Sequence, residues 1–578
     1  MMESFTTLQT IGIVLAVISV LGVCLYNAGR PKPLPGIPYN PVSAKRFLGD
    51  GPDLFKWAAE HGSPYGYLPE MIKKLDSPIV QLFLRPFARP WIIVADPYEA
   101  HDVRTRRFKE FDRSNFFGEM FVTLLPKMHV HMPTGEEWKS HRKLIADTMS
   151  PTFLSSVAGP QMWESTQNII ALWRRKAELA QGRPFDANKD VFKGALDIVV
   201  AATFGEECGS ARAQLAALKD TKIDLPSDED IEIIFPKARD PPDFESIETL
   251  TTSLDIPVSS LFPKLAHRFA LNFYPSLISA GRAKDTMLKT KLDEAHQKFS
   301  KKPEDIDIES FRHMTSALEL LVARETQMAA KEDRKAEYNT QAVRDELFGF
   351  LLGGFETTST AITWILKFLT QDQAAQTKLR SALRSQYKRA VEAGDSPTIS
   401  EISATNIPYL EAVMDEGGRV GLTALASIRV ATEDTQLMGY PVPKGTDVFF
   451  INNGPSVVMP SLKSSGEKRS KGGPASREKL GSWDDEDIQI FKPERWLFRN
   501  EKTGEVEFNS LAGPSHPFGG GPRGCFGKKW AQLEMRVILT LMFFHFELLP
   551  TPEKYSSMAA IDGITHRPAT CYVRLKAI

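Results

Sequence analysis

A cysteine stands among glycines in the stretch FGGGPRGCFG, which runs from Phe518 to Gly527. Apolar residues at helical spacing from Trp530 onward predict a helix that begins just after Cys525. The backbone N–H groups and the positive dipole end of such a helix favour a thiolate over a thiol. Arg523, two residues before the cysteine, offers a forked cation to a carboxylate. The loop therefore predicts a thiolate ligand beside a site for an anion.

A thiolate, a bare backbone and an arginine together suit a haem, with the sulfur on iron and the guanidinium on a propionate. The alternative is a glycine-rich turn with a passive cysteine. The four cysteines of the chain, Cys24, Cys208, Cys525 and Cys571, lie far apart and form no CxxC pair. This spacing argues against a disulfide framework or a zinc site and suits a reducing compartment.

A second stretch of interest is the apolar run from Leu347 to Leu369. Between Glu346 and Lys367 its one charge is Glu356. A helix that is apolar all round is buried either in a core or in a membrane. Because the paired glycines and the Glu-Thr-Thr-Ser-Thr run would be costly against lipid, we expect a core helix rather than a second membrane span.

The polar residues of this helix suit proton transfer. The hydroxyl of Thr357 can donate and accept a hydrogen bond, and Glu356 can resupply its proton through water. The alternative is a hydroxyl that bonds back to its own helix. We expect that arrangement at Thr358 or Thr360 and not at Thr357.

Two further pairs have helical spacing. Glu416 and Arg419 lie three residues apart and share a helix face, which alone indicates a solvated surface pair. Trp138 and Arg142 lie one helical turn apart.

These stretches together resemble the cytochrome P450 superfamily. FGGGPRGCFG fits FxxGxRxCxG at every fixed position, and residues 353–358 resemble (A/G)Gx(D/E)T(T/S). The order of the motifs also matches the family, over roughly residues 30–578. The remaining matches are WxxxR at Trp138 and Arg142, ExxR at Glu416 and Arg419, and the PERW stretch with Arg495.

The resemblance implies haem b as the cofactor, with Cys525 as the axial thiolate and Phe518 shielding the sulfur. It also implies that Thr357 and Glu356 relay protons during oxygen activation. The side chains that would reach the propionates or the haem edge are Arg523, Arg142, Arg429 and Trp138. Behind the haem, Glu416, Arg419 and Arg495 would form a buried charged network.

One position departs from the family pattern. The two residues between Glu416 and Arg419 are Gly417 and Gly418, each of which costs about 1 kcal/mol in a helix. The proline usual soon after the arginine is also missing. We expect either a shifted helix end or a reshaped wall of the substrate pocket.

The N-terminal segment predicts a membrane anchor, assigned to residues 1–29. Its uncharged stretch from Ser4 to Gly29 is long enough to cross the hydrocarbon of a bilayer. Because Arg30 and Lys32 follow it, the body of the protein is expected on the cytosolic side. A cleaved signal peptide is the alternative, but neither a basic start nor a clear cleavage site is present.

A proline-rich linker, residues 30–46, is expected to follow the anchor. Residues 47–578 would form one haem-thiolate catalytic domain, mainly α-helical with small β-sheets, in the cytochrome P450 fold. Within it, the polar, low-complexity insert at residues 461–482 is predicted to be disordered.

The resemblance predicts a fungal monooxygenase that is held in the endoplasmic reticulum membrane by a single span. Secondary metabolism is a plausible setting for it. Its electrons would come from NADPH–cytochrome P450 reductase, with cytochrome b5 as a second possible donor, and its substrate would be lipophilic. With 71 basic and 72 acidic residues, the chain lacks the basic surplus typical of proteins that bind nucleic acids.

The alternative to a monooxygenase is a haem-thiolate isomerase or dehydratase that needs no O2 or reductase. A non-catalytic haem carrier or sensor is the third class.

Overall fold

The computed structural model describes residues 2–260, 262–300, 314–462 and 469–578. Helices dominate it and the strands form small sheets, so the fold class predicted from the sequence is confirmed. The helices, in chain order, are α1 (Met2–Gly29), α2 (Gly51–His61), α3 (Tyr67–Lys74), α4 (Pro97–Thr105), α5 (Asn115–Phe121), α6 (Glu136–Leu144), α7 (Pro151–Phe153), α8 (Gly159–Ala180), α9 (Asn188–Phe204), α10 (Ser210–Leu218), α11 (Pro242–Thr252), α12 (Asp255–Val258), α13 (Pro263–Phe273), α14 (Pro275–Phe299), α15 (Ala317–Lys331), α16 (Gln341–Gln371), α17 (Gln373–Gln386), α18 (Lys388–Ala393), α19 (Ile399–Ala404), α20 (Pro408–Gly421), α21 (Gly473–Leu480) and α22 (Lys528–His545).

The largest sheet has five strands in the order β1-β2-β8-β5-β3. Strand β3 runs antiparallel to β5, with Arg113 opposite Arg429. The other pairings are β10-β9, β11-β14-β4, β12-β13 and β6-β7. The strands are β1 (Ile79–Leu82), β2 (Trp91–Val94), β3 (Phe111–Arg113), β4 (Phe185–Asp186), β5 (Ala426–Ala431), β6 (Thr435–Leu437), β7 (Tyr440–Val442), β8 (Asp447–Ile451), β9 (Leu497–Arg499), β10 (Val506–Phe508), β11 (Phe546–Leu549), β12 (Ala560–Asp562), β13 (His566–Pro568) and β14 (Tyr572–Ala577).

Helix α16 crosses the core, as expected for a helix that is apolar on every side. The side chain of Thr340 caps its N-terminus by accepting a hydrogen bond from the backbone N–H of Val343 at 3.3 Å. Against α22, the ring of Phe350 packs edge-on to Trp530 with a centroid distance of 5.0 Å. The helix also packs against α9 and α20. These contacts fix the polar middle of α16 relative to the cysteine loop that precedes α22.

Helix α1 is apolar and touches the body of the protein at its C-terminal end, where Tyr26 stacks on Phe47 with a centroid distance of 5.6 Å. Its segment Gln9–Gly29, 21 residues with a mean hydropathy of 2.3, is long and apolar enough to cross a membrane. The proline-rich arm that follows does contact the body. The side chain of Gln81 on β1 accepts a hydrogen bond from the backbone N–H of Leu34 at 2.8 Å and donates one to the carbonyl of Ile37 at 2.7 Å.

The insert at residues 461–482 is more ordered than its composition predicts. Residues 463–468 lie outside the described residues, but Gly473–Leu480 form α21, so disorder is the wrong prediction for that part. Arg469 pairs with the buried Asp96 at 2.7 Å, and the hydroxyl of Ser470 donates to Asp102 at 2.8 Å. The sequence prediction weighed the polar composition of the insert alone and missed the buried carboxylates at α4 that hold it.

Candidate active site

The cysteine loop is a tight turn in front of α22. A short 3-10 turn covers Gly521–Arg523, and the backbone N–H of Cys525 donates to the carbonyl of Phe518 at 2.8 Å. Gly521 has a φ of +65°, and a Cβ there would collide with the carbonyl of Arg104. The glycine is therefore required, because it lets the loop pass directly over the end of α4.

The side chain of Cys525 is exposed although the protein surrounds it on most sides. Burial raises the pKa of its thiol, while the backbone N–H of Gly527 and the charges of Arg142 and Lys528 act in the opposite direction. The start of the helix therefore favours the thiolate, as the sequence predicts, but the loss of solvation has the larger effect on the pKa. A bound metal cation would reverse the balance, because it deprotonates a coordinating thiol.

Trp138 and the two arginines of its neighbourhood form a stack beside this loop. The guanidinium carbons of Arg523 and Arg142 lie 4.7 and 5.1 Å from the centroid of the Trp138 ring. Arg142 donates to the carbonyl of Pro522 at 3.0 Å, and Arg523 donates to the carbonyl of Met132 at 2.8 Å. Burial lowers the pKa of Arg523 to about 10.

Phe518 begins the loop and is partly buried. Its ring lies 5.8 Å from the Nζ atom of Lys528, the first residue of α22. The ring therefore closes the loop on the side where α22 begins.

Two arginines that sequence reasoning missed extend the cationic cluster. Arg104 donates to the hydroxyl of Ser427 at 2.8 Å, but its buried Nη1 has no hydrogen-bond partner among the residues that the structure describes. Arg113 lies opposite Arg429 in the β3–β5 pair, and its buried Nε likewise has no partner in the described part of the chain. Their signal in the sequence is weak, because neither arginine belongs to one of the motifs and their surroundings come from distant parts of the chain.

The electrostatics of the cluster point to an anionic ligand. Among the described residues, no carboxylate lies within ion-pair distance of the five arginines. Burial lowers the pKa of Arg104 to about 9 and that of Arg429 to about 10. Cations that are buried without acidic partners are costly unless a ligand compensates them. Of the five, Arg104, Arg429 and Arg523 are buried, and Arg113 and Arg142 are partly buried.

The described residues thus fit a haem. Cys525 offers one soft ligand, the glycines leave room for a flat ring against the backbone, and the unpaired arginines match two propionates. Residue by residue, the structure brings Cys525, Arg523, Arg142 and Trp138 into one neighbourhood, with Arg429 next to it.

The adjacent glycines of α16 face different surroundings. Gly353 is exposed in the middle of this otherwise buried helix, and a Cβ there would meet no atom within 4 Å. A Cβ at Gly354 would lie 2.6 Å from Cγ2 of Val199 on α9. Gly353 therefore borders open space, whereas Gly354 permits close helix packing.

The structure does not join the two residues of the expected proton relay. The hydroxyl of Thr357 donates to the carbonyl of Gly353 at 2.7 Å, just as Thr358 donates to Gly354 at 2.8 Å. The expectation that Thr357 avoids such back-bonding is wrong. A half-exposed hydroxyl without another acceptor satisfies itself on the carbonyl one turn earlier.

Glu356 points to another part of the chain. Its Oε1 atom accepts a hydrogen bond from the hydroxyl of Thr565 at 3.0 Å and lies 3.5 Å from Nη1 of Arg567. Burial raises the pKa of the Glu356 carboxyl, against the effects of both partners. Adjacent positions on a helix do not face each other, so a proton would need a water between Glu356 and Thr357.

The charges on α20 form a buried network. Arg419 is bidentate to Glu416, with distances of 2.8 and 2.7 Å, and both side chains are fully buried. Arg495 donates to the same carboxylate at 2.9 Å, and the indole of Trp496 donates at 2.8 Å. The structure thus brings the three charges together, and a solvated surface pair is excluded.

A third cluster was missed entirely by sequence reasoning. The carboxylate of Glu346, at the start of α16, is fully buried. It lies 2.6 Å from Nδ1 of His129 and 3.1 Å from Nδ1 of His141. Because His141 precedes Arg142 on α6, the cluster fixes that helix against α16. A spacing of more than 200 residues hides it from pattern analysis.

Comparison with known proteins agrees with this arrangement. The family model described as cytochrome P450 matches residues 54–454 and 487–571. A cytochrome P450 monooxygenase of Pestalotiopsis microspora is 42% identical over 578 residues, which is 100% of both chains. The cytochrome P450 monooxygenase TRI13 of Fusarium sporotrichioides is 35% identical over 96% of this chain and 97% of the relative. A further one, xilC of Penicillium crustosum, is 32% identical over 96% of this chain and 94% of the relative.

The family match includes the cysteine loop, the middle of α16 and the charged network of α20. The relatives align along almost their whole lengths, so the resemblance is not confined to short motifs. The chain belongs to the cytochrome P450 family.

Proposed function

We propose that this protein is a membrane-anchored, haem-dependent monooxygenase of fungal secondary metabolism. It would oxidise a lipophilic substrate with O2 and with electrons from NADPH–cytochrome P450 reductase. The observation that carries the proposal is the exposed thiol of Cys525 just before α22, next to a cluster of arginines that have no acidic partner among the described residues. The relatives named above are fungal monooxygenases, which supports the reaction class and the setting.

In this proposal, Cys525 holds the iron of haem b, and Arg142, Arg429 and Arg523 neutralise its propionates. When bound, the haem would supply the redox chemistry that inserts one oxygen atom of O2 into the substrate and reduces the other to water. The chain itself orients the bound groups, excludes water from them and supplies protons. Glu356 is buried and its pKa is raised, so it can hold a proton close to the open space beside Gly353.

The side chains that we propose as walls of the substrate site favour an apolar substrate. Phe116 and Leu352 are nearly buried, Phe348 is fully buried, and Ile564 lies at the tip of the β12–β13 hairpin. Residues of this kind bind a substrate through burial of apolar area rather than through polar contacts.

The surface supports a location on the endoplasmic reticulum membrane, with the catalytic domain in the cytosol. Besides α1, helix α13 presents apolar side chains to the outside, which are Leu265, Phe269 and Phe273, exposed by 67%, 56% and 66%. Lys528 and Lys529 at the start of α22 are exposed near the cysteine loop and suit an acidic reductase surface.

Carbon monoxide difference spectroscopy on the purified, reduced full-length protein tests the cofactor. We expect the red-shifted Soret absorption peculiar to thiolate-bound haem, and its loss in Cys525→Ser. The half-buried Cys208, which lies outside the site, gives the matched control Cys208→Ser, in which the absorption should remain. If the haem-loaded Cys525→Ser protein keeps the absorption, the assignment is wrong.

The reaction class is tested with reductase, NADPH and O2 supplied or withheld. Product that forms only when all three are present supports a monooxygenase. Turnover without them would instead indicate a haem-thiolate isomerase or dehydratase.

A further inference from the structure

The tip of the β12–β13 hairpin lies against α16 and α12. The backbone N–H of Gly563 donates to the carbonyl of Thr565 at 3.0 Å and closes the turn. A Cβ at Gly563 would collide with the carboxylate of Asp255, the first residue of α12. The absence of a side chain at Gly563 therefore lets the carboxylate lie directly against the hairpin in this arrangement.

Two side chains of the hairpin hold Glu356. The hydroxyl of Thr565, which is buried, donates to Oε1 of Glu356 at 3.0 Å. It also accepts from the hydroxyl of Thr360, one turn further along α16, at 3.4 Å. Nη1 of Arg567 lies 3.5 Å from the same Oε1 atom.

Arg567 is shared between two carboxylates of different exposure. Its Nη2 donates to Oδ2 of Asp255 at 3.0 Å, a closer contact than the one to Glu356. The side chains of Asp255 and Arg567 are 34% and 32% exposed, whereas that of Glu356 is 8% exposed. The arginine thus connects an acid at the surface with an acid in the core.

We propose that Thr565 and Arg567 are positioning residues for Glu356, and that Asp255 on α12 controls, through Arg567, whether Glu356 keeps its proton. The proposal deepens the proposed function, because it assigns to α12 an influence on the proton supply at α16. While Asp255 holds Arg567, the guanidinium charge is partly compensated and the protonated form of Glu356 is favoured. When Asp255 no longer neutralises it, the same guanidinium stabilises the Glu356 carboxylate.

The geometry predicts opposite effects for two neutralising substitutions. Asp255→Asn removes the competing acid, so Arg567 acts on Glu356 alone and the carboxylate is favoured. Arg567→Gln removes the only cation that contacts Glu356 among the described residues, so the protonated form is favoured. A purely structural role for these residues would not shift the titration in opposite directions.

Infrared spectroscopy of the full-length, haem-loaded protein measures this titration directly. The carboxylic C=O band that Glu356→Gln removes is followed against pH. We expect its midpoint to move down in Asp255→Asn and up in Arg567→Gln, each by about half a unit or more. Arg567→Lys, which keeps the charge, should stay closer to wild type, and Thr565→Val should shift the frequency of the band because the carboxyl loses a donor.

Arg46→Gln is the matched control, since Arg46 and Asp53 form a comparably exposed pair at 2.9 Å far from the site. In Arg46→Gln, the carboxylic C=O band of Glu356 should titrate with the same midpoint as in wild type. If Asp255→Asn and Arg567→Gln move the midpoint in the same direction, or not at all, the proposal is wrong.

A separate assay shows whether the relay itself fails. With reductase and NADPH, the share of electrons that ends in hydrogen peroxide rather than water should rise in Glu356→Gln. An unchanged share would contradict the relay assigned to Glu356 and leave the control of its protonation by Asp255 standing. If the share of hydrogen peroxide rises in Glu356→Gln but the titration midpoint is the same in Asp255→Asn, Arg567→Gln and wild type, the control by Asp255 is wrong and the relay through Glu356 stands.

Discussion

Arg113 and Arg429 lie directly opposite each other in the β3–β5 pair. Like charges at opposite positions of a sheet destabilise it. Burial and the charges of Arg429 and Arg523 hold the pKa of Arg113 well below its ordinary value. An anion that contacts both guanidinium groups would lower the cost of pairing β3 and β5 in this register. The pair is therefore consistent with an anionic ligand at this place.

Haem retention should depend on this pair. We expect Arg113→Gln and Arg429→Gln each to weaken haem binding by about 10- to 100-fold, because each would remove a cation from the cluster that we propose to compensate the propionates. Transfer of haem to an excess of apomyoglobin measures the effect. Arg46→Gln, at a surface ion pair, is the control and should transfer haem at the wild-type rate. Wild-type retention in both site variants would mean that the anion lies elsewhere.

The two adjacent glycines of α16 should respond differently to alanine. In Gly354→Ala the new methyl group presses on Val199, so we expect a loss of about 1–3 kcal/mol in the free energy of unfolding. In Gly353→Ala the methyl group meets no atom of the described residues within 4 Å, and the helix gains up to about 1 kcal/mol. That methyl group would occupy the space next to the cofactor, so carbon monoxide binding should slow. Thermal unfolding and flash photolysis test both expectations, and equal effects of the two substitutions would contradict them.

Local chemistry made part of the site predictable from the sequence. Cys525 is followed by an apolar helical pattern and flanked by glycines, so its place at a helix start can be read from neighbouring residues alone. The same holds for Glu416 and Arg419, whose spacing puts them on one face of a helix. The long apolar run predicted the buried part of α16, with Glu356 as the one acid between Glu346 and Lys367.

Long-range contacts were not predictable. The partners of Glu356 come from the C-terminal hairpin, more than 200 residues away, and no local pattern indicates them. Arg104 is a helix residue whose burial depends on the loop that crosses it. The back-bonding of Thr357 depends on which acceptors the fold leaves within reach, and propensity alone cannot give that.

Gly417 explains the departure of α20 from the family pattern. The helix continues unbroken through both glycines, and a Cβ at Gly417 would collide with Cγ1 of Ile365 on α16. Gly417→Ala should therefore destabilise the protein by about 1–3 kcal/mol, despite its better helix propensity. Gly418→Ala, whose Cβ would lie 3.3 Å from Pro517, should change stability much less.

A double-mutant cycle identifies the cause. If the clash is responsible, Gly417→Ala combined with Ile365→Ala should cost less than the sum of the two single changes. Denaturant unfolding of the four proteins gives the coupling. Strict additivity would assign the cost of Gly417→Ala to something other than Ile365.

Glu534 should make the stability of the protein fall as the pH rises. Its side chain on α22 is fully buried, with Oε2 accepting from the indole of Trp530 at 3.0 Å and Oε1 without a partner among the described residues. Burial raises the pKa of this carboxyl to about 8, against the opposing effects of Trp530 and the Thr358 hydroxyl. Its ordinary pKa is 4.5, so between these values the folded state holds a proton that the unfolded state releases.

The sign of the effect follows from this linkage. Where the folded state binds more protons than the unfolded state, the free energy of unfolding falls with pH, here by up to about 1.4 kcal/mol for each unit between roughly pH 5 and 8. Glu534→Gln is neutral and similar in shape, so it should match wild type near pH 5 and become the more stable protein near pH 8. Thermal unfolding across this range measures the difference, with the exposed Glu505→Gln as the control that keeps the wild-type slope. Parallel curves for wild type and Glu534→Gln would show that the carboxyl is already ionised in the folded protein.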